Sequence, residues 1–243
     1  MSAFAAVPKR PVSDVVFEEL RAAILSGRYA AGDALPAERE LSASFAVNRH
    51  AVREALKRMQ QAGLVEVNHG GATRVLDWRR TGGMDLLPHL VFALDDEGAA
   101  ERLRSILEMR RSIGVDVSRL AATRATSAAV RHLRAFAADG ATPADDPAAL
   151  GDRYEELWRA LVSASDNIAY TLAYNSLLSG TEEVAELASS VFHAEASDVA
   201  AQAALIEAIA AGEPSLAAER ADDLLRRTLV TAFGATDEVR SHA

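Results

Sequence analysis

The stretch from Pro36 to Leu76, "PAERELSASFAVNRHAVREALKRMQQAGLVEVNHGGATRVL", changes its apolar period partway along, and few folds accept that change in so little chain. Leu41 and Phe45 stand at i and i+4, and Val52, Leu56 and Met59 at i, i+4 and i+7. Both spacings are helical and predict two short helices joined by a turn through Ala46 and Val47. Pro36 falls near the first position of the earlier helix and Glu38 in its first turn, where a fixed φ and a negative charge are favourable. Gly63 ends the later helix. Beyond it Val65, Val67 and Val75 alternate as strand residues do, and His69-Gly70-Gly71 can make a tight hairpin turn. Upstream, Val16, Phe17, Leu20 and Ile24 form the apolar stripe of a helix over Val12–Ser26, with Gly27 as its stop. Three short helices followed by a two-stranded hairpin is the layout of a winged helix-turn-helix, expected over residues 1–76.

The third helix opens in a way that needs an anion. Asn48 is a good N-cap, because its side-chain oxygen can accept an orphan N–H of the first turn. Arg49, His50 and Arg53 then cluster at an end that the helix dipole already makes electropositive. In a helix-turn-helix this end enters the major groove, so these cations can reach phosphates or the O6/N7 edge of guanine. Glycines beside His69 let the hairpin tip approach a backbone closely. The charge balance agrees. Net charge is −9, yet residues 1–80 hold 12 Lys+Arg against 9 Asp+Glu, while the remainder holds 14 against 26. Such a split suggests two units with different partners.

On these residues the sequence resembles the DNA-binding domain of GntR-type bacterial transcription regulators. The resemblance runs from Val12 to about Leu76 and rests on "G-x-x-L-P-A-E-R-E-L" from Gly32 to Leu41, on "R-x-x-V-R-E-A-L" in the third helix, and on the glycines of the wing. It implies DNA contacts from Arg39, Asn48, Arg49, His50 and Arg53, and from His69 and Gly70 in the wing. His50 and Ala51 stand where family members often carry Thr, Ser or Arg, which leaves the preferred bases open.

"DWRRTGG", Asp77 to Gly83, breaks the pattern and is expected to be a linker. From Met84 to Ala243 the sequence is rich in Ala and Leu with almost no strand signal, so the expectation is an all-α bundle and a mainly α protein. Leu103, Ile106, Leu107, Arg110 and Ile113 share one helical face. Further helices are expected near Ser127–Ala138, Asp152–Ser165, Ile168–Leu178, Glu182–Ala211 and Ser215–Phe233, the long one breaking near Ser197. Arg110 and Arg159 are the notable cations. Guanidinium groups facing inward need anions; an acidic effector could supply them, or Glu155, Glu156 or Asp166 could.

This second region is similar to the helical FCD-type ligand-binding domain of the FadR subgroup, through "R-L-A-A-T-R-A-T", "W-R-A-L-V-S-A-S-D-N" and "L-I-E-A-I-A-A-G-E". The resemblance implies a small-molecule effector. One winged helix offers few base contacts, so a homodimer reading a short palindrome is expected, acting as a repressor. Many such domains hold a divalent metal on one Asp and three His. Those positions fall on Glu155, Arg159, Gln202 and near Leu224, which implies neither metal nor other cofactor here. Loss of that set is shared with acyl-CoA-binding members, and so is "N-x-x-Y" from Asn167 to Tyr170, but their glycine-rich segment on the last helix has no counterpart. An effector pocket is therefore sought among Arg110, Glu155, Arg159, Tyr170, Tyr174 and Gln202.

Other classes of function find little support. The chain has no cysteine, which removes disulfides, thiolate metal sites and a cysteine nucleophile. No Ser/His/Asp arrangement or phosphate loop points to an enzyme. No apolar run is long enough to cross a bilayer, and "MSAFAAVPKRPVSD" is a poor signal peptide, so the expectation is a soluble cytoplasmic protein. A helical protein-interaction module without DNA binding is the alternative of another class.

Overall fold

The computed structural model describes residues 11–68, 71–92, 98–139, 146–178 and 185–234. The chain divides into two compact units, residues 1–97 and 98–243.

The first unit opens with α1 (Val12–Leu25), α2 (Glu38–Ser44) and α3 (Arg49–Gln61). The expected stripes are the core: Val16, Leu20 and Ile24 of α1 are buried with Val52, Leu56 and Met59 of α3, and Leu41 of α2 is buried as well. Phe45 caps the end of α2 and is half-buried. Pro36 lies outside α2 rather than at its first position. Ala37 is the N-cap, and its N–H donates to the Glu40 carboxylate at 3.1 Å, so the helix starts one residue after that bond is set. The α2–α3 turn takes Ala46 into the left-handed region at φ 52°, a conformation that costs a non-glycine residue roughly 1–2 kcal/mol. Ser42 Oγ, donating to the Val47 carbonyl at 2.6 Å, helps hold it there.

The hairpin pairs β1 (Val65–Glu66) with β2 (Arg74–Val75), antiparallel, Val65 opposite Val75. Val67 lies past β1 and is half-buried. The segment Gly32–Leu35, read only as a turn, flanks β2: the Gly32 N–H donates to Val75 O at 2.8 Å and the Leu35 N–H to Thr73 O at 2.9 Å. The tip residues His69 and Gly70 lie outside the described residues. The expected linker is partly ordered, since Asp77 caps a single turn, α4 (Trp78–Thr81). Thr81 Oγ1 donates to Gly63 O at 2.6 Å. A Cβ on Gly63 would meet Thr81 O at 2.3 Å, so glycine there both ends α3 at φ 70° and admits α4. A 3₁₀ turn (Met84–Leu86) and α5 (Leu87–Phe92), expected to begin the second domain, fall within the first unit.

The second unit is built from α6 (Ala99–Arg124), α7 (Ser127–Ala138), α8 (Pro147–Ala164), α9 (Ile168–Leu178), α10 (Ala185–Ala196), α11 (Val199–Ala210) and α12 (Pro214–Phe233). Thr126, Asp146 and Asp198 cap α7, α8 and α11 through their side chains. The expected break near Ser197 is the α10–α11 junction. Leu157 and Leu161 of α8, Leu205 and Ile206 of α11, and Leu224 and Leu225 of α12 fill the core. Gly114 of α6 lets that helix lie close: a Cβ there would meet Leu225 Cδ1 at 2.5 Å and the Trp158 ring at 3.0 Å. No described helix is long and apolar enough to cross a membrane.

Candidate functional site

The capped N-terminal end expected for α3 is present. The Asn48 side chain accepts the Ala51 N–H at 2.9 Å and fixes where the helix begins. Arg49 and His50 follow it, both exposed, and Arg39 is exposed on α2. Among the described residues none of these three has an ion-pair partner. Arg53 does: its Nε donates to Glu38 Oε2 at 2.7 Å, across the α2–α3 corner. This bond joins the two helices of the motif at their exposed side and holds Arg53 beside Arg39's helix. Sequence reasoning missed Lys57. It is exposed and continues the i, i+4, i+8 row of Arg49 and Arg53 along α3. That spacing was in the sequence and could have named it. Arg58, by contrast, turns inward: it stacks on the Phe17 ring, 4.2 Å from its centroid, and pairs with Asp14. The result is a capped helix N-terminus with a row of exposed cations, of which Arg53 is paired with Glu38, an arrangement suited to polyanionic phosphate and to guanine edges.

In the helical unit the six candidate residues do not form one cluster. Arg110 lies within the bundle, its side chain 19% exposed, and donates to both oxygens of Glu195 at 3.1 and 2.7 Å. The expected partners Glu155, Glu156 and Asp166 are not the ones it uses. Burial by itself would lower the Arg110 pKa; the charge and hydrogen bonds of Glu195 and Tyr154 outweigh it and the net shift is upward, so the guanidinium stays charged. Glu195 is the second residue that sequence reasoning missed. It is one acidic residue in an Ala-rich stretch, and its partner lies 85 positions away. Gln202 is buried beside it and donates its amide to the carbonyls of Glu195 and Ala196, each at 2.9 Å.

The other four candidates, Glu155 and Arg159 of α8 and Tyr170 and Tyr174 of α9, make their bonds elsewhere. Arg159 pairs with Glu155 at 2.6 Å, and both side chains are largely exposed, at 56% and 39%. Tyr174 donates its hydroxyl to Glu155 O at 3.0 Å, and burial pushes its pKa upward. Tyr170 donates to Asp116 Oδ2 at 2.8 Å. Arg159 therefore has an anion already and does not point into the core.

The donor set does not fit the family's metal. Of the four positions, Arg159 is itself a cation, Gln202 spends its amide N–H groups on two carbonyls, and Leu224 is apolar and fully buried. Only Glu155 offers a ligand of suitable charge, and it holds Arg159. Among the described residues no group of three or more His, Cys, Asp or Glu could hold an ion. Since no folding energy would then be linked to a metal, EDTA should leave the melting temperature unchanged. A drop of several degrees, restored by zinc, would contradict this.

Comparison with known proteins bears on both units. The profile of the "Bacterial regulatory proteins, gntR family" matches residues 12–75, and the FCD domain matches residues 105–227. The HTH-type transcriptional regulator Mce2R of Mycobacterium tuberculosis is 36% identical over 219 residues, 90% of each chain. The fatty acid metabolism regulator protein of Edwardsiella ictaluri is 33% identical over 164 residues, 66% of this chain and 65% of that one. Among solved structures, that of Lar, which controls expression of the Listeria monocytogenes agr system, shares the fold at a TM-score of 0.52 and 16% identity, covering 96% of this chain and 100% of that one. These relatives are regulators and not enzymes. A DNA-reading winged helix followed by an FCD helical unit places the chain in the GntR family of bacterial transcription regulators, with FadR-like relatives.

Proposed function

We propose that this regulator is a cytoplasmic homodimer that reads a short palindromic operator and represses, under control of a small acidic metabolite bound in the helical unit. In this reading Arg49, His50 and Arg53 of α3 face base edges. Arg39, Asn48 and the wing residues His69 and Gly70 contact the backbone, and residues 77–83 connect the two functions. The observation that carries it is the capped N-terminus of α3, where Arg49 and His50 are exposed and, among the described residues, have no ion-pair partner. One winged helix offers few base contacts, and two-fold proteins double them on a palindrome. The acidic-effector part of the reading looks to Arg110, the cation that lies within the bundle, where Glu195 is its partner.

A second reading, control by a fatty acyl derivative, draws on the relatives named as fatty acid metabolism regulators. The effector in either case can shift DNA affinity only through its differential affinity for the two states of the protein. Light scattering tests the assembly: the expected mass is twice the 25.9 kDa of one chain. A 25.9 kDa particle that bound a palindrome as tightly as any half-site pair allows would refute it. Titration of the operator complex with carboxylates and with acyl-CoA thioesters, read by loss of the gel-shifted band, separates the two effector readings.

A further inference from the structure

One ion pair ties the two helices of the reading motif at their exposed corner. Glu38 is the first residue of α2, and Arg53 opens the second turn of α3. Arg53 Nε donates to Glu38 Oε2 at 2.7 Å, and among the described residues the two terminal nitrogens of that guanidinium make no hydrogen bond. The side chains are 64% and 36% exposed. An ion pair so open to water adds little to stability, so stability is a weak reason for it.

The two glutamates in the first turn of α2 have different partners. Glu40 accepts the Ala37 N–H at 3.1 Å and closes the start of its own helix. Glu38 reaches across to α3. It stands at the positive end of α2, where the helix dipole favours a carboxylate. Its partner is the middle member of a row, since Arg49, Arg53 and Lys57 lie at i, i+4 and i+8 of α3 and all are exposed. Like charges one turn apart repel. Among the described residues Arg49 and Lys57 have no ion-pair partner, so only the middle cation is neutralised.

The atom that Glu38 takes decides what Arg53 can still do. With Nε engaged, the free end of the planar fork presents Nη1 and Nη2 side by side, the pair that meets O6 and N7 of guanine. A phosphate approaching the same guanidinium would meet a carboxylate already in contact with it. Arg49 and Lys57 carry no such neighbour and are open to phosphate.

We propose that Glu38 is a positioning residue: it makes Arg53 a reader of guanine and withholds it from phosphate. This rests on the reading of α3 as the helix that enters the major groove. It adds which cation of the row discriminates between sequences, and what confers that role. Arg53 is held end-on before DNA arrives, so it loses less side-chain freedom on meeting a guanine. Away from the operator the same contact keeps Arg53 from the backbone, and the carboxylate repels phosphate. Glu38 therefore strengthens specific binding and weakens non-specific binding together.

The test uses the full-length chain with two duplexes, the one that the wild-type protein enriches from a random pool and a scrambled one of the same composition. Anisotropy is read over a range of salt concentrations. Glu38→Gln keeps the side chain's length and removes its charge. It should weaken binding to the enriched duplex by about two- to tenfold. The same variant should bind the scrambled duplex more tightly, with a salt slope steeper by about one, because Arg53 is released to a phosphate. Damage to the fold would weaken both. In an Arg53→Ala background Glu38→Gln should no longer weaken binding to the enriched duplex. Changes in the same direction on both duplexes, no change on either, or an equal loss with and without Arg53 would overturn the proposal. If Arg49→Ala, Arg53→Ala bound the enriched duplex like the wild type, the reading of α3 itself would fall. A pool in which no sequence was enriched would overturn both.

Discussion

Replacing Arg49 and Arg53 together by alanine is expected to weaken operator binding on the order of a hundredfold or more, with the fold intact. A good bidentate contact to guanine is worth ~1–3 kcal/mol of discrimination, and two such losses multiply. Stability should hardly change, because both side chains are exposed. The one ion pair lost, Arg53–Glu38, is a surface pair of the kind worth ~0.2–1 kcal/mol at most. Fluorescence anisotropy at two salt concentrations separates base contact from phosphate contact. A residue that reads a base relaxes specificity at one position; a residue on a phosphate weakens all sequences and lowers the salt slope by about one. Lys57, further along the same row, is expected to behave in the second way. Wild-type affinity in the double variant, at matched salt, would mean that α3 is not the reading helix.

The largest effect on stability is expected from Arg110→Met. Removing one partner of a buried ion pair costs ~3–5 kcal/mol, because the other charge is left uncompensated. Here the stranded group is Glu195, fully buried, with the Tyr154 hydroxyl as its remaining side-chain partner among the described residues. At roughly 2–4 °C per kcal/mol for a chain of this size class, the melting temperature should fall by about 6–20 °C. Glu195→Gln should be milder, since the guanidinium it strands is 19% exposed and retains the aromatic rings of Phe192, Tyr154 and Trp158 and an amide oxygen as acceptor. Adding Glu195→Gln to Arg110→Met should recover most of the loss. Calorimetric melts of the three variants decide it: if the double variant were as unstable as Arg110→Met alone, the damage would come from lost packing and not from the stranded carboxylate.

What the sequence made legible was local. The stripes of α1 and α3, the cap at Asn48, the stop at Gly63 and the junction near Ser197 all follow from spacing and residue type within one or two turns. Arg49, Arg53 and Lys57 form a row for the same reason. What it did not make legible depends on pairings made by folding. Arg53 meets Glu38 across the helix corner, and the Gly32–Leu35 segment flanks β2 because the chain doubles back forty residues on. Arg110 was expected to find an anion, and it does, but on α10 and not on α8. Arg159, an equal candidate by sequence, is satisfied by Glu155 one turn earlier at the surface. Short-range spacing could suggest the Glu155–Arg159 pair, whereas nothing local to Glu195 marked it as the partner of a residue on α6.

The central claim, that a capped and cationic α3 reads a two-fold DNA site, is tested most directly by selection of duplexes from a random pool with the full-length protein. The expected result is enrichment of one short inverted repeat, bound far more tightly than scrambled DNA and lost in the Arg49→Ala, Arg53→Ala variant. A pool that stayed random after repeated rounds, or an enriched sequence that the double variant bound equally well, would contradict it.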